Sequence, residues 1–164
     1  KRIHQHNLYN TLLFLARNIF FYKNIRLLDN FETRIYLMFI HFSIILIIYK
    51  KKKVKFDQKS YDLLFQNIEN NLRELGIGDV SVNKKMKDFN KILYDILLKI
   101  KVEHKDKFII NKKLILKYFE VLNEEKSTKY EEFEQYFLNF YNFCFELSLE
   151  NMIRDAGNYT YGSS

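Results

Sequence analysis

The chain has no proline, no tryptophan, a single cysteine and only four glycines among 164 residues. Without proline no helix is interrupted by a missing backbone donor, and no polyproline ligand or proline-stiffened linker can be built. The lone Cys144 excludes an intramolecular disulfide and a paired-thiol metal site, and it suits a reducing compartment. It reads as buried filler. The two glycines that lie close together, Gly76 and Gly78, follow a helical pattern rather than a strand, and no Lys-Ser/Thr pair comes after them. A phosphate-cradling loop is therefore disfavoured.

What is abundant is apolar and aromatic: 48% hydrophobic and 17% aromatic residues argue for an ordered body, and the length suits one substantial core. The formal charge of +7 favours an anionic membrane, a nucleic acid or an acidic partner without choosing among them. No nucleic-acid motif accompanies it, so sequence-specific nucleic-acid recognition is not expected. His4, His6, His41 and His104 form no metal-binding pattern, and the carboxylates form no distinct acid-base pair. Enzyme action thus has no positive warrant, and neither cofactor nor metal is expected. A site assembled across the chain is the alternative. The chain starts at Lys1 rather than Met, which fits a processed fragment, and no cleavable signal is read there.

The pattern predicts an all-α fold: one compact domain, residues 1–156, of about six helices. Residues 157–164 are expected as a loose tail or appended remnant. The first helix is predicted over residues 7–22, with Leu8, Leu12, Leu15, Ala16 and Ile19 on one face. A second begins near Asp29, where Asp29 and Glu32 fit a capping box, and runs through the apolar residues 35–49. Fifteen helical residues advance about 22 Å against a hydrocarbon core of about 30 Å. A buried central helix fits best, a membrane-surface helix second, and a span least. A strand there lacks alternation and a partner.

Lys50, Lys51, Lys52 and Lys53 follow at once. They read either as a solvated loop or as contacts for an anionic membrane or ribosomal surface. A third helix from Asp57 or Gln58 to Leu75 carries Tyr61, Leu64, Phe65, Ile68, Leu72 and Leu75 inward. A fourth, with Ser81 as its expected cap, carries Val82, Met86, Phe89, Leu93, Ile96 and Ile100. Two C-terminal helices are expected near residues 111–123 and 129–153, the latter capped by Thr128 with Glu131. Its broad aromatic face reads as core or, in part, as a client groove.

Between the third and fourth helices lies Asn71-Leu-Arg-Glu-Leu-Gly-Ile-Gly-Asp79-Val-Ser-Val-Asn-Lys-Lys-Met86. Gly76 suits a positive-φ helix end and Gly78 the following bend, making a structural joint. Arg73 and Glu74 are neighbours and point apart; Asp79 is placed to accept hydrogen bonds at the joint. Lys84 and Lys85 gain nothing from the dipole of a helix they begin. Arg73, Asp79, Lys84 and Lys85 are the candidate partner-binding set, with bracing of the joint a second reading for Arg73.

This motif resembles the central segment of the ubiquinol-cytochrome c chaperone family, matching at residues 72–79, Val82 and Lys84, with Tyr94 near an expected aromatic. Upstream, Leu8-Tyr9, Ala16-Arg17, Phe21-Tyr22, Asp29, Arg34, and Leu37 with His41 resemble the family's spaced pattern. The chain departs from it at Leu28 and Asn83, where proline is usual, and at Leu93. The resemblance implies a non-enzymatic assembly factor for respiratory complex III (cytochrome bc1) that binds newly made cytochrome b, with any haem belonging to the client. It also implies a possible small assembly-factor partner and contact with an anionic membrane or ribosome. The implied place is the cytoplasmic face of a proteobacterial inner membrane or the mitochondrial matrix face. A membrane-surface helical scaffold without a cytochrome b client is the rival reading.

Overall fold

The computed structural model describes residues 7–103, 107–123 and 129–161. Within them the chain forms seven α-helices and one small antiparallel ribbon. They are α1 (Leu8–Ala16), α2 (Phe31–Lys51), α3 (Gln58–Glu74), α4 (Asp79–Lys99), β1 (Ile100–Glu103), β2 (Lys107–Ile110), α5 (Lys112–Tyr118), α6 (Lys129–Phe145) and α7 (Met152–Asp155). The all-helical domain predicted from the pattern is what forms.

Residues 37–45 of α2 are buried without exception, so the helix presents no solvent face over its middle. A helix apolar all round is a core helix. Ring contacts to Phe65 of α3, Phe89 of α4 and Phe140 of α6 show what surrounds it. The apolar stripes of α3 and α4 fall as the spacing predicts, with Leu64, Ile68, Leu72, Val82, Phe89, Leu93 and Ile96 buried. Leu75 and Met86 lie further out than predicted, Leu75 exposed and Met86 half-buried. The aromatic face of α6 goes inward: Phe133, Tyr136, Phe137, Phe140 and Cys144 are fully buried. That face is core rather than an open groove.

Helix starts explain several differences from the sequence reading. Side chains of Asn7, Asn30, Asp57 and Asn111 accept backbone N–H bonds at the starts of α1, α2, α3 and α5. Asn30, not Asp29, is therefore the cap of α2. Asp29 instead accepts from Arg34 at 2.8 Å. Gly78, not Ser81, precedes α4, because Val82 N–H already bonds the Gly78 carbonyl. Thr128 lies outside the described residues, as do His4, His6 and His104.

The first predicted helix breaks after Ala16. The Asn18 side chain accepts from Phe20 N–H at 3.0 Å, and a π turn over Phe20–Asn24 brings both Phe20 and Phe21 into the core. The ribbon after α4 was not predicted: Ile100 pairs with Ile110 and Val102 with Phe108. Ile100, Phe108 and Ile110 are buried, which is what one face of a short pleated pair provides. At the C-terminal end, Tyr159 is buried and its hydroxyl donates to the Tyr136 carbonyl at 3.0 Å. The expected loose tail is thus corrected over residues 157–161, where an aromatic side chain fills the core.

Candidate functional site

α3 closes with two bonds: Ile77 N–H to the Leu72 carbonyl at 3.3 Å and Gly76 N–H to the Arg73 carbonyl at 2.9 Å. This Schellman turn requires a left-handed residue, and Gly76 supplies it at φ 85°. A Cβ there would meet nothing within 4 Å, so the demand for glycine is conformational rather than steric. Gly78 then takes ordinary extended backbone and α4 starts at Asp79.

Because Gly78 offers no side-chain cap, the carboxylate of Asp79 in the first turn is the acidic group that complements the helix dipole. Arg73 in the last turn of α3 donates to that carboxylate and, at 3.0 Å, to Glu69. Hydrogen bonds to Glu69 and then Asp79 raise the guanidinium pKa further. The group is open to solvent, so its contribution is orientation: it ties the end of one helix to the start of the next. Of the candidate residues, Arg73 and Asp79 are therefore brought together. Lys85 turns to α2, 3.5 Å from Glu32, while Lys84 is exposed.

The lysine run divides. Lys50, Lys51 and Lys53 are exposed, but Lys52 is half-buried and donates to the Phe145 and Leu147 carbonyls at 2.7 and 3.2 Å. Its ammonium also lies 4.9 Å from the Phe145 ring centroid. Phe145 ends α6, whose last carbonyls have no partner within the helix, so a cation is favoured there. Lys52 is accordingly removed from the surface set: it caps a distant helix. Lys53 sits at φ 60° and closes α2.

His41 is fully buried in the aromatic core. Its Nδ1–H donates to the Leu37 carbonyl and its Nε2 accepts from the Tyr136 hydroxyl, both at 2.7 Å. A carbonyl can only accept, which fixes this tautomer. Burial drives the imidazole pKa down to about 3, against the upward pull of the Leu37 bond. With both nitrogens committed, it is a structural group. Burial likewise pushes the Cys144 thiol well above its ordinary range, away from thiolate chemistry. Among the described residues no group of three or more His, Cys, Asp or Glu is placed to hold a metal.

Two features escaped the sequence reading. Asp95 on α4 gathers Lys99, Tyr118 and Lys117; burial raises its pKa, but these hydrogen bonds outweigh that and hold it at about 2. The sequence reading did not single out Asp95: Lys99 is its i,i+4 neighbour, but Lys117 and Tyr118 arrive on α5 from elsewhere in the chain. The second is an open groove of about 760 Å³ between the C-terminal halves of α2 and α4, with Leu46, Ile47, Leu97 and Leu98 among its lining and Lys50, Lys51 and Lys101 on it. Lys50 and Lys51 were singled out by sequence; their apolar neighbours were not, because each helix shows only half of the groove.

Residues 23–103 match the family model described as Ubiquinol-cytochrome C chaperone. The matched stretch runs from the π turn through β1 and has the α3–α4 joint inside it. No curated protein matches the chain, and no solved structure does. By length and composition α2 is the one helix among the described residues that qualifies to cross a membrane, yet 67% of its most apolar window is buried inside the fold. Residue pairs that gave the sequence resemblance also meet in space: Tyr22 hydroxyl to the Ala16 carbonyl at 2.7 Å, Arg34 to Asp29, His41 to Leu37, and Arg73 to Asp79. Three of these contacts hold turns or helix ends, and the His41–Leu37 bond lies inside α2.

Proposed function

We propose that the chain is an assembly factor of the ubiquinol-cytochrome c chaperone type, binding newly synthesised cytochrome b during construction of respiratory complex III. The observation that carries this reading is the match of residues 23–103, which contains the helix joint bridged by Arg73 and Asp79. In this reading the Arg73–Asp79 bridge fixes the angle between α3 and α4, and Lys84 and Lys85 present cationic groups to the client. Apolar burial supplies the attraction, and Lys50, Lys51 and Lys53 hold the pair near an anionic surface. A small assembly-factor partner and work beside a ribosome belong to the same proposal. The setting is the membrane face on which cytochrome b is made: the cytoplasmic face in a bacterium, the matrix face in a mitochondrion.

Crosslinking of the native protein in cells, followed by identification of its partners, tests the proposal. Cytochrome b enriched among the crosslinked species is the expected result. Recovery of other proteins or of lipid without cytochrome b would overturn it.

A further inference from the structure

Among the described residues the outer face of α4 lies exposed, with Tyr94 at its edge reaching Tyr61 of α3. Val80, Lys84, Lys87, Lys91, Tyr94 and Leu98 follow one another at steps of three or four residues, so they form a single stripe opposite buried Val82, Phe89, Leu93 and Ile96. All six are exposed, Val80 at 85% and Leu98 at 74%. The stripe is about 27 Å long, cationic in its middle and apolar at its ends. At its C-terminal end Tyr94 and Leu98 also line the groove that carries Lys50, Lys51 and Lys101. Among the described residues no carboxylate lines that groove. The acidic residues of α4 nearest the stripe, Asp88 and Asp95, lie along one flank, and Asp95 is held by Lys99 and Lys117.

We propose that this face docks on an anionic phospholipid surface. Its positive charge is spread over Lys84, Lys87 and Lys91 and continues at the groove in Lys50, Lys51 and Lys101, which complements a diffuse negative plane. Every cation on it is Lys, a mobile point charge, and none is the rigid Arg fork that suits a single carboxylate. Lysine stems can lie along apolar surface while the ammonium reaches headgroups, and a tyrosine suits the same depth. Leu98 and Val80 stand outward where shallow insertion needs apolar groups. Docking in this way leaves α2 inside the fold. The inference deepens the surface-holding part of the proposed function and rests on that reading; Lys84 lies where this face meets the client surface, so the test below alters Lys87 and Lys91 instead.

The test uses the purified chain with vesicles of phosphatidylcholine alone and of phosphatidylcholine mixed with phosphatidylglycerol. Binding to the mixed vesicles, absent with neutral ones and released by high salt, is expected. The Lys87→Glu/Lys91→Glu variant should bind at least about tenfold less, since two reversed charges oppose the surface potential. The equally charged Arg17→Glu/Lys23→Glu variant, altered near α1 and the π turn, should lose much less. Leu98→Ser should weaken binding with helicity unchanged by circular dichroism. No vesicle binding, equal binding to both vesicle types, or equal loss in the two charge-reversed variants would overturn the proposal. Cytochrome b capture is read in a separate assay without vesicles, so either idea can fail alone.

Discussion

α2 and α3 end in the same backbone turn but close it with opposite chemistry. At the end of α3, Gly76 occupies the left-handed position at φ 85°. At the end of α2 the same place is taken by Lys53 at φ 60°, with Val54 N–H bonded to the Tyr49 carbonyl and Lys53 N–H to the Lys50 carbonyl. One turn uses the residue that adopts this conformation freely; the other holds a side chain against its preference. The difference lies in what surrounds each turn. Lys52, immediately before the strained residue, is anchored on the carbonyls at the end of α6, whereas the α3 turn is held at the surface by an exposed ion cluster. A long-range anchor lets α2 end on an unfavourable residue, and a locally supported joint relies on glycine.

The largest effect that would break this comparison is expected at Lys52. Lys52→Ala leaves the Phe145 and Leu147 carbonyls without their charged donor and should destabilise the fold by about 1.5–3 kcal/mol in a denaturant titration. Lys50→Ala, two residues away and exposed, should stay within about 0.5 kcal/mol of the parent. Equal effects would mean that the anchor contributes nothing. Next in size is Gly76→Ala, expected to cost about 1–2 kcal/mol because φ rather than space forbids the side chain. Smallest is Lys53→Gly, where relief of strain is partly offset by the greater freedom of glycine in the unfolded chain. A gain of about 0.5 kcal/mol is expected, and a loss would show that the Lys53 side chain itself supports the turn.

These two ends also show what a sequence can reveal. Gly76 announces its turn, so the limits of α3 and the existence of the joint were legible from glycine and from the stripe of Leu64, Ile68 and Leu72. Lys53 announces nothing, because its neighbours are also lysines and the run resembles solvated loop. The cap made by Lys52 depends on residues more than ninety positions away and leaves no local trace. The ribbon after α4 was hidden because Ile100 continues the helical stripe of α4 and each strand has only four residues. In the candidate site, Arg73 and Asp79 were legible individually. Their bridge required the turn between them, and the exposed stripe of α4 becomes meaningful only once its other face is known to be buried.

In the proposed function the joint presents a client-recognition surface, in which Arg73 and Asp79 set the shape and Lys84 and Lys85 make contact. The most direct measurement is quantitative capture of newly synthesised cytochrome b by the parent chain and by Lys84→Ala/Lys85→Ala, with circular dichroism confirming equal helicity. Clear capture by the parent and a severalfold loss in the variant are expected. No capture by the parent, or equal capture by the two, would contradict it.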